Sequence, residues 1–318
     1  MIPLKPERLN PGDIIGVIAP ASAPADPKNI ERGLSRLEEL GFKPKPAPNL
    51  RKRWGFLAGS DRDRAGDLMK MFADRSVKAI FCLRGGYGTA RLLPLLDYGL
   101  IRSTPKILLG YSDITSLHCA LLTKANLVSF HGPMLNSDLL KKRAPGFTVQ
   151  SLLSTITKPT PPGSICKGYT KPTVQILLPG FASGRLVGGN ISILCASLGT
   201  PYQPSFKNNI LFFEDLDEVP YRFDRMLTHL LNTGVLQQVA GVAIGINCRC
   251  VDPKAKTAKE YRQSLSDVLK ERLKPLKVPV ISGFPFGHVP HNATLPIGVR
   301  ATLDGAKGDL IVSEAAVT

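Results

Sequence analysis

Residues 106–122 read KILLGYSDITSLHCALL, and their pattern decides the fold class. Ile107, Leu108 and Leu109 form an unbroken apolar run that stops abruptly at Gly110-Tyr111-Ser112. Beyond the stop, Ile114, Leu117 and Leu121 recur at helical spacing. An apolar run without polar alternation predicts a strand buried on both faces, as in the centre of a parallel sheet. A strand that turns at once into a helix is half of a βαβ unit, so the class is α/β.

The same signature repeats on either side. DIIGVIAPAS (13–22), AIFCL running into RGGYG (79–88) and LVSFHGP (127–133) are further buried strands ending at polar turns. Between them, Asp26-Pro27 predicts a helix start, with Ile30, Leu34, Leu37 and Leu40 inward and Gly41 as its stop. A second helix follows Asp61, with Ala65, Leu68, Met69 and Phe72 as its inner face. From Thr157 to Gly180 the composition turns to Pro, Gly, Thr and Lys, which predicts a linker. Residues 1–156 then form one domain and 181–318 another, in keeping with 318 residues at roughly 150 per domain. The second half offers the strands NILFFE (209–214) and VAGVAIGIN (239–247) and a helix over Tyr221–Asn232 stopped by Gly234. It continues with a mostly solvated helix over Ala258–Leu273 and a hairpin in VRATLDGAKGDLIV (299–312).

Composition narrows the function classes. Hydrophobic residues make up 43% and charged residues 21%, a globular balance that argues against disorder and coiled coils. No apolar run approaches the roughly 20 residues of a membrane helix, and MIPLKPERLNPGD lacks the apolar core of a signal peptide. Six scattered cysteines, including an isolated Cys248-x-Cys250, predict buried thiols rather than a zinc site and favour a reducing compartment. The net charge of +16 raises a nucleic-acid-binding class. Against it, the basic residues spread over helices and loops, with short runs at Arg51-Lys52-Arg53 and Lys141-Lys142-Arg143, and solvated faces explain them.

Chemistry is sought where polar groups follow strands, because open α/β sheets bind ligands at the carboxyl ends of their strands. Ser112 sits at a sharp strand-to-helix turn, where a nucleophile gains exposure; a helix-capping Ser112 or Asp113 is the bland alternative. Glu214 ends an apolar strand and could orient an imidazolium. With Asp215, Asp217 and Glu218 it could equally be an acidic helix start or a metal site. His288 lies in a Gly/Pro loop after a strand. His131 in SFHGP is its main rival as a base, and His291 completes an H-x-x-H pair without a third ligand. His118 and His229 fall within helices, where packing or capping explains them. RGGYG (84–88) brings backbone amides close to a ligand or simply makes a tight turn; it lacks the Walker lysine and the full G-x-G-x-x-G spacing.

Seven segments in order, IIGVIAPAS, GFLAGSDRDRAGDL, CLRGGYGTARLLPLLD, GYSDITSLH, GRLVGGNISILCASLGTPY, FFEDLDEVPYRFDRML and FPFGHVPHNATLPIG, closely resemble the LD-carboxypeptidase (muramoyltetrapeptide carboxypeptidase) family of serine peptidases. GYSDIT and ED-x-x-E-x-PYR-x-DRML are the most specific pieces. The resemblance implies a Rossmann-like N-terminal domain with a parallel sheet, a smaller mixed α/β C-terminal domain, and a Ser112–Glu214–His288 triad. It places an oxyanion hole at the backbone amides of Gly86 and Asp113. It implies no metal or organic cofactor, a homodimer, and a cytoplasmic role in cell-wall recycling, releasing D-Ala from murein tetrapeptides without nucleic acid or membrane. Arg84 is a candidate for the substrate carboxylate by position and charge. One departure is Val289, where family members often have glycine after the histidine. The family's microcin-immunity branch, which hydrolyses sulfamoyl adenylates with the same triad, is the alternative substrate class.

Overall fold

The computed structural model describes residues 2–140, 145–171, 173–252 and 263–318. The apolar runs of the first half become five parallel strands: β1 (Ile14–Ile18), β2 (Lys43–Pro46), β3 (Val77–Cys82), β4 (Ile107–Gly110) and β5 (Ser129–His131). They lie in the order β2-β1-β3-β4-β5, the doubly wound order whose switch point falls between the first and third strands. Helices α1 (Lys28–Glu39), α2 (Asp61–Ala73), α3 (Tyr98–Ser103) and α4 (Thr115–Ala120) link them. A capping box starts α2: Ser60 Oγ accepts the Asp63 N–H at 3.1 Å while Asp63 Oδ2 accepts the Ser60 N–H at 3.2 Å, an arrangement worth about 1 kcal/mol. Met71 rather than Met69 completes the inner face of that helix.

The rest of the chain adds α5 (Gly146–Thr157), β6 (Gly163–Ser164), β7 (Gln175–Leu178), β8 (Phe181–Asn190), α6 (Ile191–Ser197), β9 (Ile210–Glu214), α7 (Pro220–Asn232), β10 (Gly241–Gly245), α8 (Leu265–Leu273), β11 (Val280–Phe284), β12 (Leu295–Ile297), β13 (Arg300–Asp304) and β14 (Asp309–Val312). Eight of these strands make a mixed sheet in the order β6-β14-β13-β8-β9-β10-β11-β7, parallel from β8 to β11. The expected hairpin is β13–β14, paired from Ala301↔Val312 to Asp304↔Asp309. Within the connector 157–180, β6 and β7 form the two edges of this sheet. β12 instead crosses to the first sheet and pairs antiparallel with β5. The expected helix over Ala258–Leu273 is seen as α8, its first residues lying outside the described ones, as does the basic run 141–143. No helix among the described residues is long and apolar enough to cross a membrane.

Alternation along β9 shows how the sheets share their cores. Ile210 and Phe212 face the core of the first sheet, whereas Leu211 and Phe213 pack under α6, α7 and α8. Glu214, two residues past Phe212, therefore shares its face and points toward the first sheet. On the other side of that boundary, fully buried His118 of α4 joins two strand ends. Its Nε2 lies 2.8 Å from the Gly110 carbonyl, which can only accept, so Nε2 carries the proton; Nδ1 then accepts from Ser129 Oγ at 2.9 Å.

Burial pulls the His118 imidazole down to about 4, offset only in part by the Gly110 carbonyl. The unfolded chain, with an ordinary histidine near 6.5, binds this proton first as the pH falls. Stability is thus complete above about 6.5 and declines toward about 4. Denaturant midpoints measured across that range should fall with acid, and His118→Gln should flatten that part of the profile; an unchanged slope would refute the assignment.

Candidate active site

Every residue from 106 to 121 is buried except Ser112, which reaches solvent. Its backbone is in the left-handed region, φ 63°, uncommon for a residue with a side chain and a mark of strain held by its surroundings. Its hydroxyl caps nothing, so the helix-cap alternative for Ser112 does not describe this turn. The short, strained corner between β4 and α4 presents the hydroxyl at the sheet's carboxyl edge.

The RGGYG loop passes against this corner. A methyl group at Gly85 would lie 3.1 Å from Ser112 Cβ and 3.3 Å from its Oγ, a tight contact that glycine avoids. Gly86, at φ 115°, backs onto Ser22. Among the described residues, neither the Gly86 amide nor the Asp113 amide has a hydrogen-bond acceptor. Asp113 follows the serine in the chain, and Gly86 follows Gly85, the residue packed against Ser112. Side chains fix this loop from three directions. Ser22 Oγ accepts the Tyr87 N–H at 3.2 Å and Asp113 Oδ2 accepts the Thr89 N–H at 2.9 Å. Buried Arg64 donates from Nη1 to the carbonyls of Gly88 (2.9 Å) and Pro20, with Asp61 as its ion-pair partner. The Asp113 carboxyl thus ties the end of the RGGYG loop to the serine corner; burial pushes it up, against the opposing hydrogen bonds from Thr89.

From the second sheet comes the candidate base. His288 Nδ1 lies 2.6 Å from Glu214 Oε2. Glu214 has no exposure, while the His288 side chain keeps 15%. Gly287, at φ 104°, precedes the histidine so closely over the carboxylate that a methyl there would come within 2.6 Å of Glu214 Oε2. Burial lowers the affinity of His288 for a proton, but the hydrogen bond and charge of Glu214 outweigh it, and the net effect holds the imidazole above its ordinary value. The ring of Tyr111, the residue before Ser112, meets the His288 ring edge-on at 4.9 Å, which brings base and serine into one neighbourhood. Ser112 and His288 are not hydrogen-bonded to each other here, a looseness common before substrate binds.

The other histidines fall away on geometry. His131 is fully buried beneath Tyr111, Phe212 and Phe286, out of substrate's reach. His291 lies between the rings of Phe147 and Tyr169, and His229 is exposed on α7. Asp215 turns away from Glu214 to accept from Asn190 Nδ2 (2.8 Å) and the Ser192 N–H (3.1 Å), and Asp217 pairs with Arg249 at 2.6 Å. Among the described residues no three His, Cys, Asp or Glu side chains are grouped to hold a metal. Arg84 is half-buried, its Nη1 donating to the Ala23 carbonyl at 3.2 Å. A cavity of ≈ 460 Å³ lined by Ser151, Lys158, Ile165 and Lys167 lies behind α5, and none of the candidate catalytic residues borders it. Sequence reasoning missed Ser22, Arg64 and the side-chain role of Asp113. Arg64 had a signal, an arginine on the otherwise inward side of the helix after Asp61.

Comparisons with known proteins show which family the chain resembles along its length. The LD-carboxypeptidase N-terminal domain model matches residues 15–132, which hold Ser112, and the C-terminal domain model matches 183–303, which hold Glu214 and His288. A probable murein peptide carboxypeptidase of Bacillus subtilis is 40% identical over 97% of this chain and 94% of its own length. The crystal structure of a muramoyltetrapeptide carboxypeptidase from Oxalobacter formigenes superposes with a TM-score of 0.83 at 30% identity, covering 96% of this chain and 100% of that one. The microcin C7 self-immunity protein MccF, solved with glutamyl sulfamoyl guanosine, gives a TM-score of 0.89 at 25% identity, covering 99% of this chain and all of MccF.

The His288–Glu214 pair makes a substrate-free prediction. In Glu214→Gln the burial that lowers the imidazole remains, and of the groups that raise it only the more weakly acting Asp215 and Asp138 are left. NMR titration of the His288 ring should therefore give a lower value in the variant than in the parent, where it lies above 6.5. Equal titration in both proteins would show that Glu214 does not govern the base.

Proposed function

The chain belongs to the LD-carboxypeptidase family, and from that premise we propose that it is a serine peptidase releasing the terminal D-Ala of murein tetrapeptides. The observation that carries this reading is Ser112: a strained, solvent-reaching serine packed against the RGGYG loop and, across Tyr111, near a carboxylate-oriented histidine. His288 Nε2 accepts the Ser112 hydroxyl proton as Oγ attacks the carbonyl carbon of the diamino acid. Glu214 holds Nδ1–H and stabilises the imidazolium that results. The oxyanion takes hydrogen bonds from the amides of Gly86 and Asp113, a contribution of roughly 10²–10³ per donor in turnover. The imidazolium then gives its proton to the departing amine of D-Ala, leaving an acyl-enzyme that water hydrolyses by the same steps in reverse.

Arg84 is our candidate for the substrate carboxylate. The reaction is assigned to the cytoplasm, in cell-wall recycling, by a homodimer. Murein peptides carry several carboxylates, and the net charge of +16 favours their approach. A second reading, hydrolysis of a sulfamoyl adenylate, draws support from the likeness to MccF over nearly the whole chain. It uses the same three side chains and differs in what the rim must hold.

Mass-spectrometric detection of D-Ala from murein tetrapeptide tests the reading. Ser112→Ala should lower release by about 10⁴-fold or more, and equal activity would sink the serine mechanism. Because His288 works as a base only when neutral and its affinity for protons is raised, kcat/KM should climb with pH through a midpoint above 6.5. Running a sulfamoyl adenylate alongside separates the two substrates: adenylate cleavage without D-Ala release would select the second.

A further inference from the structure

The loop that carries His288 follows β11 of the second sheet, yet its fastenings come from the first half of the chain. Thr148, near the start of α5, stands at the centre of them. Its hydroxyl donates to the Pro290 carbonyl at 2.8 Å and accepts the Asn292 N–H at 2.9 Å. One turn later on the same helix, Ser151 Oγ accepts the Thr294 N–H at 3.0 Å. The Asn292 side chain then reaches back along the loop, and its Oδ1 accepts the Gly287 N–H at 3.1 Å. The Ala293 N–H closes the base of the loop on the Pro285 carbonyl at 2.7 Å. Thr148 and Asn292 are both without exposure. Directly after this loop, β12 joins the sheet that bears Ser112, pairing Leu295 with His131.

We propose that Thr148 and Asn292 are positioning residues for the base: a buried clasp that registers His288 to the domain of the candidate nucleophile while Glu214 approaches from the other sheet. The proposal rests on the peptidase reading for its kinetic consequence alone. Neither side chain is hydrogen-bonded to His288 or Glu214; both act through Gly287, which has no slack. The glycine lies so near the carboxylate that no methyl fits between them, and the adjacent Nδ1–Oε2 bond is 2.6 Å. A loop displaced by a fraction of an ångström would lengthen that bond. The charge-assisted support that raises the imidazole would weaken while the burial that lowers it would stay.

Thr148→Val keeps the shape of the side chain and removes the hydroxyl; Thr148→Ser restores it. The Val variant should lose about 10²-fold in kcat with KM nearly unchanged, the size expected of a misplaced catalytic group. Its acid-side kcat midpoint and the His288 value read by imidazole NMR should fall together, and the Ser variant should recover most of both. Should the Val variant not fold, Asn292→Ser is measured in the same way, since it withdraws the acceptor from Gly287. A variant with a lowered melting temperature but the parental kcat, pH midpoint and His288 titration would overturn the proposal, leaving the clasp merely structural. A shifted His288 titration in an enzyme whose parent releases no D-Ala would uphold the clasp and refute the substrate.

Discussion

A carboxylate without solvent exposure is tolerated only with a partner, since the penalty for burying an unpaired charge is several kcal/mol. Glu214 ends a strand whose alternation points it at the first sheet, and at that point it finds His288. The pairing governs much else. It requires glycine at 287, it requires the 285–294 loop to approach from the far side, and it sets the proton affinity of the imidazole in opposition to burial. Without it, the two sheets would meet across a buried charge and an idle ring.

Much of this was legible in the chain. The unbroken apolar runs within β1, β3 and β4 identify buried parallel strands because neither face of such a run offers a polar side to water. Ser112, Glu214 and His288 each follow an apolar run, and the structure brings all three to one boundary. What periodicity could not supply was the lateral bracing. Thr148, Asn292 and Ser22 are small polar residues whose significance lies in backbone groups far away in sequence, and no local pattern marks such partners. The helix α5 escaped for a related reason. Its apolar residues lie beside the Pro-rich connector, and the change of composition drew the eye to a boundary instead.

The basic surplus looks different once partners are visible. Within Arg51-Lys52-Arg53, Arg51 pairs with Glu31, Lys52 with Asp63 at 2.8 Å, and Arg53 donates to the Pro24 carbonyl. That run braces the start of α2 and the loop after β1 rather than forming an open stripe. Exposed ion pairs of this kind contribute little stability individually, so their value lies in where they hold the chain. The aromatic side chains beside them, Trp54, Phe56 and Tyr87, are all more than half exposed, and Phe56 meets Tyr87 edge-on at 5.6 Å next to the RGGYG loop.

The crossing of β12 into the first sheet changes how the molecule can be divided. Although the connector lies between two sheets, the chain after it returns to supply the strand that covers β5. A fragment ending at the connector would leave β5 with an uncovered edge, a row of unpaired amides and carbonyls of the kind that recruits other chains. The same ladder limits motion. The histidine loop is moored at its far end to the serine's own sheet, so the halves cannot swing apart as hinged lobes without unzipping it. Whatever moves around Ser112 must be surface loops, and the spacing between Ser112, Glu214 and His288 travels with the sheet.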